Sequence, residues 1–185
     1  TLAPSRLVVL ANVAQLSDPT VALLSEFVSG GGSLLVFAGN KVNVDWYNKN
    51  LSSGSGRLLP SPLEALAGGG AGERTATRIV AERFAHPALE IFNDRANGNL
   101  ADAEIWKWYR LGVSKPREEP EDAQHDSPAL APGRDAPLVL ARLESGDPLL
   151  VEHRLGEGLV VQVATTCGPA WTNLPMRPFY VPLMQ

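Results

Sequence analysis

Residues 6–39 read RLVVLANVAQLSDPTVALLSEFVSGGGSLLVFAG, and the fold is decided here. Arg6-Leu7-Val8-Val9-Leu10-Ala11 is a short, apolar, β-branched run, the signature of a strand covered on both faces. Ser17-Asp18-Pro19 opens a helix. Either Ser17 or Asp18 offers a capping oxygen, worth about 1 kcal/mol, and Pro19 follows where a missing N–H does no harm. Val21, Leu24, Phe27 and Val28 return at helical spacing and form one apolar face. Gly30-Gly31-Gly32 stops the helix, because glycine takes a left-handed cap without strain. Ser33-Leu34-Leu35-Val36-Phe37-Ala38 is a second buried strand. Strand, helix and strand at these lengths make a crossover unit, with parallel strands and a right-handed turn expected. Burying the four large helix side chains favours it by on the order of 6–12 kcal/mol before conformational entropy is counted.

Working outward, the signals weaken. Asp45 to Leu51 reads as a short helix, and Pro62 to Leu66 as another, with Ser61 as its cap and Gly68 as its stop. Gly68 to Gly72 is a glycine-rich loop, Thr77 to Val80 a strand, and Pro87 to Phe92 a helical turn. Glu104 to Leu111 reads as one strand, placing Trp106 and Trp108 on one face and Ile105, Tyr109 and Leu111 on the other. Residues 115–135, rich in proline and acid, are expected to form a flexible excursion. Leu138 to Leu143, Leu149 to Leu155 and Leu159 to Thr165 are three strands. Ser145-Gly146-Asp147 and Gly156-Glu157-Gly158 between them are hairpin turns. A helix starting at Pro175 or Pro178 and running toward Met184 closes the series. The sum is an α/β sandwich in a single domain over residues 1–185, with parallel core strands and antiparallel strands at the C-terminal side.

Composition narrows the function classes. At 185 residues and 44% hydrophobic, the chain suits one domain with a core of its own. A net charge of −4 argues against a nucleic-acid surface, which needs a basic stripe. No apolar run reaches the roughly 18 residues of a membrane span. The only cysteine is Cys167 and there are three histidines, so neither an internal disulfide nor a zinc cluster is expected, and no metal or cofactor. The chain opens Thr1-Leu2-Ala3-Pro4 and closes in the apolar run Phe179-Tyr180-Val181-Pro182-Leu183-Met184-Gln185. It is therefore expected to be a domain cut from a longer protein.

Val8-Val9-Leu10-Ala11, then Leu24, Phe27 and Val28 before the glycines, then Leu34-Leu35-Val36-Phe37-Ala38-Gly39, resemble the class I glutamine amidotransferase-like superfamily. That resemblance implies its flavodoxin-like three-layer fold. Gly156-Glu157-Gly158 with Val160-Val161, Ala164-Thr165-Thr166 and Trp171-Thr172-Asn173-Leu174-Pro175-Met176-Arg177-Pro178 carry a closer likeness. They resemble the amidotransferase-like region of large bacterial membrane proteins with BatA-type N-terminal segments or von Willebrand factor A domains. The opening motif is shared by many Rossmann-like folds; the closing one is more specific.

Amidotransferases of this kind hydrolyse glutamine with a cysteine at a sharp turn after a strand, and with a histidine and a glutamate two residues apart late in the chain. The thiolate attacks the amide carbon, histidine holds the proton, and glutamate orients histidine. The corresponding turn here reads Ala38-Gly39-Asn40-Lys41, which offers no nucleophile. Losing the nucleophile of such a triad lowers the rate on the order of a millionfold. Glu152 and His153 are adjacent, so on a strand they point to opposite faces and Glu152 cannot orient His153. Cys167, in a turn with Gly168 and Pro169, reads as a small half-buried residue at a strand end; the alternative is a relocated nucleophile served by His153. The von Willebrand metal-adhesion motif and a P-loop are both absent, Gly68 to Gly72 lacking the Gly-Lys-Ser/Thr ending. Asn50-Leu51-Ser52 matches a glycosylation sequon by chance. Asp122, His125 and Asp126 read as solvated loop residues rather than metal ligands.

Two functions remain. The first is a non-catalytic binding or scaffold domain, soluble itself and tethered in a membrane-anchored bacterial protein. It would contact a protein partner or a sibling domain, without nucleic acid, and meet a membrane only through its parent. Its surface would draw on Trp46, Trp106, Trp108 and Trp171, because aromatics are enriched at binding hot spots; the alternative places them in the core. The second is a small-ligand-binding or hydrolytic domain using Asn12, Asn40, Lys41 and Asp45, which follow the first two strands. Open α/β sheets bind ligands at the carboxyl ends of their strands.

Overall fold

The computed structural model describes residues 5–54, 57–69, 76–113 and 136–184. The expected excursion 115–135 and most of the loop after Gly68 lie outside them. β1 (Leu7–Ala11), α1 (Asp18–Ser29) and β2 (Ser33–Phe37) form the crossover unit, with β1 parallel to β2 in the register Leu7 to Ser33 through Ala11 to Phe37. Ser17 caps α1 with its backbone only, its hydroxyl meeting that of Thr20 at 2.8 Å. The positive φ of the following turn falls on Gly31, at 102°.

The main sheet continues from β1 and β2 through three later strands. β9 (Gly158–Val163) lies parallel to β2, and β8 (Pro148–Leu155) and β7 (Leu138–Arg142) complete the sheet antiparallel. The short glycine turns account for the antiparallel hairpins, and the helical crossover for the parallel pair β1 and β2. One face carries α1, whose Leu24 and Val28 are fully buried in the core with Leu34, Val36 and Val160. The turn between β8 and β9 tucks under the end of α1: Glu157 donates to the Ser29 carbonyl at 3.1 Å and Leu159 to that of Gly32 at 3.3 Å. Gly158 is required there, because a Cβ would lie 2.0 Å from the Val28 carbonyl oxygen.

α2 (Val44–Asn50) begins at Asn43, whose side chain accepts from the Trp46 N–H. Residues 63–68 are a strand, β3 (Leu63–Gly68), rather than the expected helix. It pairs antiparallel with β6 (Lys107–Leu111). The Ser61-Pro62 start and Gly68 stop imitate helix punctuation, but a partner some forty residues away decides the outcome. The single strand expected over 104–111 is broken at Trp106 into β5 (Glu104–Ile105) and β6. The Trp171 carbonyl accepts from Trp106 N–H at 2.7 Å and from Lys107 N–H at 3.3 Å and pins the break. The expected alternation fails with it: Ile105, Trp108, Tyr109 and Leu111 are all buried. β4 (Thr77–Arg78) pairs with β5, and Ile79 bridges to Leu143 beyond β7. Among the described residues, the opposite face of the main sheet carries short helical pieces. These are α3 (Pro87–Glu90), 3-10 turns including Leu100–Asp102 and Leu174–Met176, and α4 (Tyr180–Leu183), which replace the longer closing helix expected. The molecule is thus mixed α/β with a five-stranded mixed sheet.

Candidate functional site

The carboxyl ends of β1 and β2 bring three of the four expected crevice residues together. Asn12 turns the chain out of β1 with φ at 53°, a left-handed conformation its short amide tolerates. Its Nδ2 donates to Asn40 Oδ1 at 2.8 Å, and its Oδ1 accepts from the Lys41 N–H at 2.9 Å. Gly39 makes room for it, since a Cβ at that position would sit 2.3 Å from Asn12 Oδ1. The Tyr47 hydroxyl donates to the Val13 carbonyl at 2.7 Å and Asn43 N–H to that of Ala14 at 3.0 Å, extending the same seam. Burial pushes the Tyr47 phenol up to about 12. Asn12 and Asn40 are therefore engaged with each other as a latch between two loops. Lys41 and Asp45 are exposed beside it.

On β8, Glu152 and His153 face opposite sides of the sheet. His153 is buried on the α1 side, its Nε2 3.1 Å from the Leu58 carbonyl. Glu152 faces the other side and meets His86 Nε2 at 3.2 Å. His86 also caps α3, its Nδ1 accepting from the Ala88 N–H at 3.3 Å, so the ring is in the tautomer that donates from Nε2. The pair sits on an apolar recess of about 220 Å³ lined by Leu35, Phe37, Leu150, Val161 and Leu183 among others. Sequence reasoning missed His86. The available signal was a polar residue directly before Pro87, a helix-start pattern; its partner on β8 carries no local trace.

Cys167 lies beyond the end of β9, half-buried, and its carbonyl accepts from the Tyr180 hydroxyl at 3.2 Å. Burial first, and the Cys167 thiolate second, raise the Tyr180 phenol above its ordinary value. Two of the four tryptophans expected at an interaction surface are core residues. Trp171 is buried and tilts against Tyr109 at 5.6 Å, and Trp108 is buried with its Nε1 donating to Asp147 at 2.8 Å. Trp46, edge-on to Tyr47, and Trp106 are half-buried. The physical reason is volume: with five phenylalanines in the whole chain, the core recruits its indoles. A broad polar concavity of about 800 Å³ runs past Glu82, Arg83, Glu90 and Arg95. Its Asp94 and Asn99 cap 3-10 turns, and its Asn93 accepts from the Phe84 N–H and donates to the Phe84 carbonyl. Among the described residues no cluster of three metal-ligating side chains forms, and no helix is long and apolar enough to cross a membrane. Asp122, His125 and Asp126 lie outside those residues.

No family model matches the chain, and no curated protein does. Solved structures share its fold. Cytoplasmic protein STM1381 from Salmonella typhimurium LT2 superposes with a TM-score of 0.66 at 17% identity, over 99% of this chain and 70% of its own. Cytoplasmic protein STM3548 from Salmonella typhimurium gives 0.66 at 15%, with the same coverage. A β-galactosidase from Bacillus circulans sp. alkalophilus gives 0.53 at 14%, over 89% of this chain and 21% of that one.

Proposed function

We propose that this chain is a non-catalytic binding or scaffold domain of a longer, membrane-anchored bacterial protein, a flavodoxin-like amidotransferase fold without its chemistry. The amidotransferase-like and BatA-type affinity rests on the sequence motifs of residues 8–39 and 156–178. The observation that carries the non-catalytic reading is the turn after β2. Where a nucleophile would stand, Gly39 and Asn40 instead serve the Asn12 latch. Glu152 supports the same reading, for it is engaged by His86 on the face away from His153. The β-galactosidase match, a fifth of that chain, supports the view that this fold serves as one module among several.

Glutamine hydrolysis provides the test. The chain is expected to release no ammonia from glutamine above the rate of a Cys167→Ala control. Turnover that is abolished by this substitution overturns the reading. The second reading, a ligand site at the strand ends, draws on exposed Lys41 and Asp45 beside the latch. A thermal-shift screen of amides, sugars and nucleotides separates the two. A shift lost in both Lys41→Ala and Asn40→Ala favours the ligand site.

A further inference from the structure

We propose that the recess between the main sheet and the short helices α3 and α4 binds a small primary amine, its apolar group in the aliphatic space and its ammonium on Glu152. This goes beyond the non-catalytic reading and does not rest on it, for Asn12, Asn40, Lys41 and Asp45 line no part of the recess. Leu35 pairs with Val161, Val161 with Glu152, and Glu152 with Leu138. Residues paired across strands share a face, so one row over β2, β9, β8 and β7 sets a carboxylate among aliphatic side chains. Leu89 of α3 and Leu183 of α4 close the space from the other side. Aliphatic packing accounts for an apolar gap, but it does not account for a carboxylate inside one. The Glu152 side chain is 13% exposed, and a charge so placed is costly unless a partner compensates it.

An inventory of donors and acceptors shows what is missing. Glu152 Oε1 meets His86 Nε2, and His86 Nδ1 accepts from the Ala88 N–H. In that tautomer the ring is neutral and has no second donor to give. Among the described residues no lysine or arginine pairs with Glu152, and its Oε2 makes no hydrogen bond. The Tyr180 hydroxyl, also at the lining, already donates to the Cys167 carbonyl. Arg154, the next residue on that face of β8, is exposed and outside the lining. The unmet demand is therefore for a cation that carries donor hydrogens, which is an ammonium group. Size fixes the rest. An apolar protein cavity of roughly 150 Å³ holds benzene, so about 220 Å³ takes an apolar group of about eight carbons. An acid of that size would set like charge against Glu152, and an alcohol would bond without neutralising it.

Calorimetry with 2-phenylethylammonium, 2-phenylethanol and phenylacetate tests this. The amine is expected to bind at least about tenfold more tightly than the alcohol, and phenylacetate more weakly than both. The methyl resonances of Leu35, Leu150 and Val161 are expected to move with the amine, while those of Val28 and Val36 on the α1 side stay in place. Glu152→Gln keeps an acceptor for His86 but turns an amide N–H toward the ammonium. It is expected to weaken the amine about 10- to 100-fold and to leave the alcohol within about twofold. Similar affinity of amine and alcohol for the unaltered protein overturns the proposal, and this comparison stands even where Glu152→Gln fails to fold. Amine binding that leaves the recess methyls unmoved, or that survives Glu152→Gln, overturns it too. So does the absence of amine binding at millimolar concentration. The ammonia assay shares no residue or readout with these measurements, so failure of the non-catalytic reading shows separately.

Discussion

Asn12 holds a left-handed backbone and two side-chain hydrogen bonds at once, so its substitutions separate the two contributions. Asn12→Gly keeps the conformation and loses the bonds; Asn12→Ala loses both. The first is expected to cost about 1–2 kcal/mol and the second about 2–3 kcal/mol, read as a lower urea midpoint at unchanged slope. Deeper in the core, Ser61 Oγ and Gln162 Nε2 are buried without partners among the described residues, while Gln162 Oε1 accepts from the Ser61 N–H at 3.1 Å. Ser61→Ala is therefore expected to be neutral or stabilising by up to about 1 kcal/mol, whereas Gln162→Ala opens a cavity and orphans an amide for about 2–4 kcal/mol. Tyr47 gives the pH dependence. Its folded pKa of about 12 exceeds the unfolded value of 10.0, so its contribution is complete below pH 10.0 and lost as pH rises through about 12. Tyr47→Phe is expected to flatten that alkaline loss in urea titrations. At this scale the sequence was half legible. Asn12, Asn40 and Lys41 follow from strand ends, but that the amides would satisfy each other depends on the close approach at Gly39. Nothing local announces His86 facing Glu152, which pair across the fold.

Elements were readable where their reason is local. The crossover unit and the three late strands follow from apolar runs between glycine turns. β3 and the break at Trp106 were not, because both are set by distant partners: β6 for the first and the Trp171 carbonyl for the second. Hairpin turns show the same division between local and distant demands. Gly146 has φ at 85° with nothing near its missing Cβ, while Gly158 faces α1 backbone within 2.0 Å. Gly146→Ala is expected to lower stability by about 1–2 kcal/mol, through conformation alone. Gly158→Ala must push the β8–β9 turn off α1 and is expected to cost about 3 kcal/mol or more. Chemical denaturation of the two variants side by side checks the contrast.

For the whole molecule the governing feature is the seat of β9 between β2 and β8. Ser33 finds Leu159 across most of the chain, whereas β8 and β9 meet through a tight turn. On a translating ribosome the first crossover unit therefore emerges with one flank of β2 raw, and it keeps that flank until the last strand arrives. Such long-range closure places folding in the slower millisecond-to-second regime, with sticky half-built species on the way. Chaperone demand during synthesis is thus written into the strand order itself, and a circular permutant that brings the late hairpin ahead of Leu7 should shed it.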